Sequence, residues 1–282
     1  MRWRCRRRTF ELDQRVLVMG ILNVTPDSFS DGGRYLDPAA AIDRAHQMLE
    51  EGADLIDLGA ESTRPGSTPV AQDEQWRRLE PVLPGLAAEG VCVSIDTAHA
   101  GVAARAPAAG AEIVNDVTAL GDPDMAARVA ESGAGLVLMH MRGNPATMQD
   151  GPRYDDAPRE VSAWLAARLE VAREAGIAED CVAIDPGVGF GKSVSHSLAL
   201  LARLDALTAL GRPVLVGASR KSFIGRISGV EIGERLEGGL AAHAVAVFQG
   251  ARIVRTHDVR QTVRAVAIAV ALRDERPGRV PS

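Results

Sequence analysis

Aromatic residues, cysteines and long apolar runs are all scarce in this sequence. Phe, Trp and Tyr make up 4% of its 282 residues, so a core must rest on Ala, Val, Leu and Ile. Its three cysteines, Cys5, Cys92 and Cys181, form no C-x-x-C pair, and no His/Cys cluster has the spacing of a zinc site. An odd count without metal spacing fits a reducing compartment. No apolar segment follows the opening arginines, which excludes a signal peptide, and no run is long enough to span a membrane. The chain is therefore expected to be soluble and cytoplasmic. A basic excess is also missing: the net charge is −5, which argues against nucleic acid as a partner. The one basic cluster, MRWRCRRR at the N-terminus, reads as a solvated tail or a short edge strand at the bottom of the fold.

What the sequence does have is alternation. Short apolar runs at 16–24, 54–60, 91–96, 112–117, 135–141, 181–187, 213–219 and 252–258 are each followed by a helical stretch. In the first of these helices, Asp37 suits the N-cap, Pro38 the first turn and Gly52 the C-terminal stop. The strands are continuous apolar runs, as expected of parallel strands buried on both faces. Eight consecutive βα units in this length describe an α/β fold of the (β/α)8 TIM-barrel type. An open doubly wound sheet is the alternative, but it would carry a nucleotide loop after its first strand, where this chain reads NVTPDSFSDGG. No linker or composition shift divides the chain, so a single domain over 1–282 is expected, with 1–14 as an N-terminal extension.

The stretch AIDPGVGFGKS, residues 183–193, imitates two nucleotide loops and matches neither. A P-loop needs glycine where Pro186 stands, and the dinucleotide pattern needs glycine where Lys192 stands. Chemistry is to be sought instead at the strand ends, where barrel active sites lie. These carry Asn23, Glu61, Asp96, Asn115, His140, Asp185, Ser219 with Arg220 and Lys221, and Arg255 with His257. Any one such Asp is more often a helix cap than a catalyst, but together they would surround one mouth. Asp96, Asn115 and Asp185 would point inward, with Lys221 as the nearby internal cation. That set suits a flat heterocycle with an amidine-like edge, because a carboxylate accepts two parallel N–H bonds; a plain buried ion pair between Lys221 and one Asp is the alternative. Asn23, Arg64, Arg220, Arg255 and His257 would form a donor-rich rim suited to phosphate or diphosphate. A hard cation such as Mg²⁺, held mainly by diphosphate oxygens, would fit. The loops TPDSFSDGGRY, with Phe29, and ESTRPGSTP have the length and chemistry of lids.

These residues resemble a known family. ILNVTPDSFSDGG, GADLIDLGAESTRPG, SIDT, IVNDV, LMHMRGNPATMQ, DPGVGFGKS, GASRKSFIG and RTHDV together, in order from Ile21 to Val259, resemble dihydropteroate synthase. The resemblance implies a (β/α)8 barrel and a transferase of folate biosynthesis. The reaction would join 6-hydroxymethyl-7,8-dihydropterin diphosphate to p-aminobenzoate, giving 7,8-dihydropteroate and pyrophosphate. It places the pterin against Asp96, Asn115, Asp185, Gly217 and Lys221, with Met139 and Phe190 as apolar walls. It places the diphosphate on Asn23, Thr63, Arg64, Arg255 and His257, with Mg²⁺ at Asn23. The p-aminobenzoate would meet Phe29, Thr63, Pro65, Phe190, Ser219, Arg220 and Lys221, where sulfonamides should compete. Lys192 is then expected at the surface.

The family is thought to react dissociatively, with Asp31 facing the positive charge that develops on the pterin methylene; Asp96, Lys221 and Arg255 complete the catalytic set. Ala60 stands where a glycine is common, and Thr118–Ala119 fall where the family varies. Two alternatives remain at this stage. One is a methyltetrahydrofolate-binding methyltransferase barrel, which should lack the ESTRPG and SRKS loops. The other is a non-catalytic pterin-binding paralogue. The stretch LAAHAVAVFQGA and the final helix are apolar on more than one face, which suggests a homodimer, as is usual in the family.

Overall fold

The computed structural model describes residues 1–25, 37–61, 69–143, 148 and 151–275. Two short strands come first, β1 (Arg2–Cys5) and β2 (Arg8–Glu11), paired as an antiparallel hairpin. Eight parallel strands follow: β3 (Leu17–Asn23), β4 (Leu55–Gly59), β5 (Val93–Asp96), β6 (Ile113–Asp116), β7 (Gly135–Met139), β8 (Val182–Asp185), β9 (Leu215–Val216) and β10 (Ile253–Thr256). They pair in the order β8-β7-β6-β5-β4-β3-β10-β9. A bridge from Ile184 to Val214 brings β8 against β9, so the ring is a (β/α)8 barrel. Helices wrap its outside, from Pro38–Glu50 to Val259–Asp274. Asp37 caps the first of them by accepting from the amides of Ala39 and Ala40, and a break at Pro81 leaves helices over Gln72–Leu79 and Leu83–Ala88.

Strand alternation sorts the side chains into two cores. Val18, Leu22, Ile56, Leu58, Val93 and Ile95 face outward onto helices. Leu17, Met19, Leu55, Cys92, Ile113, Val137, Ala183, Leu215 and Ile253 fill the barrel's lower interior. Trp3, Cys5, Phe10 and Leu12 of the hairpin segment join that interior cluster. The indole of Trp3 donates to the carbonyl of Cys181 at 3.0 Å.

The arginine-rich start is therefore not a solvated tail: it is a short strand at the bottom of the fold, as one of the two expectations had it, and its hairpin plugs the barrel. Its arginines anchor the plug's rim. Arg8 grips the fully buried Glu112 through Nε at 2.9 and 3.0 Å. Arg4 pairs with Asp180, and Arg6 donates to the carbonyl of Pro107. The three cysteines are free and buried. Among the described residues, no helix is long and apolar enough to cross a membrane.

Candidate active site

The inward positions next above the apolar floor are polar. They are Asp57 on β4, Ser94 and Asp96 on β5, Asn115 on β6, Asp185 on β8 and Arg255 on β10. Register sets Asp96 level with Gly59 and Asn115, and Met139 level with Asp185. Asp96, Asn115, Met139, Asp185 and Arg255 meet in a cavity of about 370 Å³ at the C-terminal end of the barrel. Asn23, Asp96, Asn115, Met139, Asp185, Phe190, Gly217, Ser219, Arg220, Lys221, Arg255 and His257 all line it. Phe29, Asp31, Thr63, Arg64 and Pro65, also expected in the site, lie outside the described residues.

Three expectations change. First, Arg255 is not a rim group. Its Nε donates to Asp57 Oδ2 at 2.6 Å and its Nη2 to Asp96 Oδ2 at 2.7 Å. It, rather than Lys221, is the cation ion-paired to a pocket carboxylate. Second, His140 turns away from the mouth. It is buried, with its ring edge-on to Trp164 at 4.8 Å. Glu61 also sits apart, accepting from Gln75. Third, Lys192 is not at the surface. Its side chain is 3% exposed, and its ammonium lies among the carbonyls of His140 and Phe190 and the ring of His140.

Asp57 is the functional residue that sequence reading missed. It is fully buried and accepts from Ser94 Oγ at 2.6 Å, Asn115 Nδ2 at 3.0 Å and Arg255. By taking the amide N–H of Asn115 it leaves that side chain's oxygen as the acceptor it can offer a ligand. A signal was present: an aspartate in the middle of the apolar strand DLIDLGA must find a buried partner.

Around the cavity stand the buried carboxylates Asp57, Asp96 and Asp185 and the cationic side chains Lys221 and Arg255, with Lys192 buried behind the glycine loop. Burial pushes Asp185 up to about 6, against the pull of the Gly187 amide, which donates to its Oδ1 at 2.6 Å, and of Lys221. Burial also raises Asp96, with Arg255 pulling the other way. Lys221 is lowered to about 8 by burial and by Arg255, and its Nζ sits 3.8 Å from the centre of the Phe190 ring. Such a cation over an aromatic face is attractive where water is excluded.

At the mouth, Ser219 Oγ lies 3.0 Å from His257 Nδ1. Arg220, in the left-handed region at φ 57°, is paired with Asp258 through Nη2 at 2.6 Å. The buried His243 accepts from the Ala218 amide at 3.0 Å, which fixes the turn carrying Ser219–Lys221. Gly59 keeps the floor beside Asn23 open, since a Cβ there would lie 3.3 Å from Asn23 Oδ1. Ala60, in contrast, packs outward in the helix-facing core and touches none of this.

The arrangement pairs a deep acceptor edge with a cationic, donor-bearing mouth. A family model described as pterin binding enzyme matches residues 19–257. A dihydropteroate synthase of Escherichia coli K12 is 45% identical over 255 residues, covering 90% of each chain. The chain belongs to the dihydropteroate synthase family. The synthase of Neisseria meningitidis serogroup B is 45% identical over 279 residues, covering 96% of this chain and 97% of its own. Among solved structures, the Yersinia pestis synthase in a sulfonamide drug complex superposes with a TM-score of 0.92 at 42% identity, covering 97% of this chain and all of that one. The Xanthomonas albilineans synthase with 4-aminobenzoic acid has a TM-score of 0.90 at 45% identity, covering 98% of this chain and 99% of its own. The chain is an enzyme, and its function is that of a dihydropteroate synthase.

Proposed function

We propose that this chain is a transferase that joins 6-hydroxymethyl-7,8-dihydropterin diphosphate to p-aminobenzoate, releasing pyrophosphate. The observation that carries this reading is the mixed lining of one cavity: the acceptors Asp96, Asn115 and Asp185 stand together with Lys221, Arg255, Asn23 and His257. The aminopyrimidinone edge of a pterin offers N–H donors that suit Asp185, while the Asn115 oxygen takes one more. Met139 and Phe190 would lie against its faces. Arg255 and His257 would take the diphosphate, joined by Asn23 and by Thr63 and Arg64 of the second loop. Cationic groups aimed at a diphosphate stabilise it most as the leaving group gathers charge. The p-aminobenzoate would lie between Phe190 and the Ser219–Lys221 turn, with Phe29 and Pro65 of the loops. Related synthases solved with 4-aminobenzoic acid and with a sulfonamide drug support a site that takes both kinds of ligand.

The C–O bond to diphosphate would break before the new C–N bond forms, because an electron-rich dihydropterin can carry positive charge at its methylene. Asp31 would face that charge. The neutral arylamine attacks, and its proton leaves to solvent. Asn23 brings one neutral oxygen to the mouth, and no group of three or more His, Cys, Asp or Glu among the described residues could hold a metal. That donor set fits a Mg²⁺ carried largely by the diphosphate's own oxygens. When bound there, the ion would neutralise part of the diphosphate charge.

The buried free thiols suit a cytoplasmic enzyme. A homodimer is supported by Leu198, Ile227 and Val245, exposed beside an apolar groove of about 600 Å³ along the helix Leu236–Phe248; light scattering that gives a monomer at micromolar concentration would exclude it. The reaction is tested by pyrophosphate release from purified protein with dihydropterin diphosphate and Mg²⁺, with and without p-aminobenzoate. Release that needs p-aminobenzoate, with equal dihydropteroate formed, is expected. Tight pterin binding without such release would point to a non-catalytic paralogue.

A further inference from the structure

Lys192 sits at the end of the glycine loop that imitates a phosphate cradle, yet its ammonium is turned away from solvent. It donates to the carbonyls of Phe190 at 2.8 Å and His140 at 3.1 Å, and lies 2.9 Å from His140 Nδ1. Its nitrogen thus donates to two backbone carbonyls, with the His140 ring nitrogen as a third polar neighbour. Among the described residues, no carboxylate bonds it directly. Burial pushes Lys192 down to about 7, against the pull of Asp185, and a methionine would fill a similar volume without burying a polar nitrogen. The position therefore needs the donors.

Those donors join two segments. The His140 amide bonds the Asp185 carbonyl, and the Tyr154 hydroxyl bonds the Gly191 carbonyl, so the loop lies flat on the end of β7. A Cβ at Gly187 would fall 2.0 Å from the His140 carbonyl oxygen, and one at Gly191 would fall 2.5 Å from that of Arg142. Both glycines have φ near +60°. The glycines permit this close approach, and Lys192 fastens it. On the cavity side of the same backbone, the Phe190 ring carries the Lys221 ammonium.

We propose that Lys192 is a positioning residue: by clamping the carbonyls of His140 and Phe190 it fixes the Phe190 ring, and through it the Lys221 ammonium, on the wall that both substrates share. Lys192 touches neither substrate. The proposal rests on the reading of the cavity given above. The charged and titratable groups around Lys192 are His140 and Arg142 beyond β7, Asp185 at the end of β8, and Lys221 from the facing turn.

The test is a double-mutant cycle of Lys192→Met and Phe190→Leu, read as KM for p-aminobenzoate, kcat and calorimetric binding of 6-hydroxymethyl-7,8-dihydropterin. Lys192→Met is expected to raise KM about tenfold, the size of one buried cation–π contact. Its effect on kcat should be less than about threefold, because the groups that stabilise the leaving diphosphate are untouched. In the Phe190→Leu background the same change should add almost nothing. Lys192→Gln, which keeps N–H donors without charge, should recover part of the loss, and it replaces Lys192→Met in the cycle if that variant does not fold. A KM effect of equal size in both backgrounds, or a lower melting temperature with unchanged KM, overturns the proposal. Wild-type turnover is measured first. If it is absent, the synthase reading fails separately, and the pterin-binding arm of the cycle still decides the role of Lys192.

Discussion

Replacing Asp57 with alanine takes one acceptor away from three donors at once. Asp57 is fully buried and bonds Ser94 Oγ, Asn115 Nδ2 and Arg255 Nε. Ser94 can turn its hydroxyl elsewhere, so its loss is worth about 1 kcal/mol. Arg255 keeps Asp96 but loses half of its buried counter-charge, and breaking one partner of such a pair costs about 3–5 kcal/mol. The alanine variant should therefore lose about 4–6 kcal/mol of stability, while Ser94→Ala loses about 1 kcal/mol. Asp57→Asn keeps an oxygen for Arg255 and Asn115 and should lose about 1–2 kcal/mol, the difference between a charge-assisted and a neutral bond. Urea unfolding of the three ligand-free variants reads these values. Calorimetry with a dihydropterin then reads the second consequence, since an unanchored Asn115 amide can turn its N–H into the cavity. Asp57→Ala should bind pterin at least tenfold more weakly, whereas Ser94→Ala should bind it nearly normally. An alanine variant within about 1 kcal/mol of wild type, or an asparagine variant as damaged as the alanine one, would refute the reasoning.

Pterin binding should weaken as pH falls through the Asp185 value of about 6, by up to tenfold per pH unit below it, because only the ionised carboxylate accepts both N–H bonds; flat affinity between pH 5 and 7 by calorimetry would show that Asp185 does not grip the ligand. Gly187→Ala should be far worse than Gly189→Ala: both sites have positive φ, at a cost of about 1 kcal/mol, but only at Gly187 does the new Cβ meet a backbone oxygen. Equal melting temperatures for the two would mean that the loop is free to shift. Trp3→Ala should cost about 3–5 kcal/mol by emptying the barrel floor, and at temperatures where it is folded its KM for p-aminobenzoate should match wild type. A raised KM would mean that the floor shapes the site.

The barrel was legible because its strands are apolar on both faces and separated by capped helices, signals that act within one segment. Strand ends were less so: the run 213–219 contributes only Leu215–Val216 as strand, since Gly217 onward turns to form the mouth. The pocket's ring of Asp96, Asn115, Asp185 and Lys221 followed from strand ends meeting at one rim. What escaped depended on partners distant in sequence. Lys192 looks like any surface lysine until the carbonyls of His140 and Phe190 and the His140 ring enclose it. Arg255 reads as a rim cation until Asp57, 198 positions earlier, pulls it inward. The N-terminal arginines look solvated because Glu112 and Asp180, their partners, come much later in the chain.

That last pairing has a consequence for timing. The Trp3 indole bonds a carbonyl 178 residues further along the chain, so the plug has no seat until most of the barrel has been synthesised. At about 5–20 residues per second the hairpin waits roughly 10–35 s with Trp3, Phe10 and Leu12 unhoused. Contacts so far apart in sequence are also slow to form in refolding. The arginines interleaved with those apolar side chains keep the waiting segment soluble and discourage it from pairing with another unfinished chain. The same charges that hold the plug down in the native state thus guard it before the native state exists.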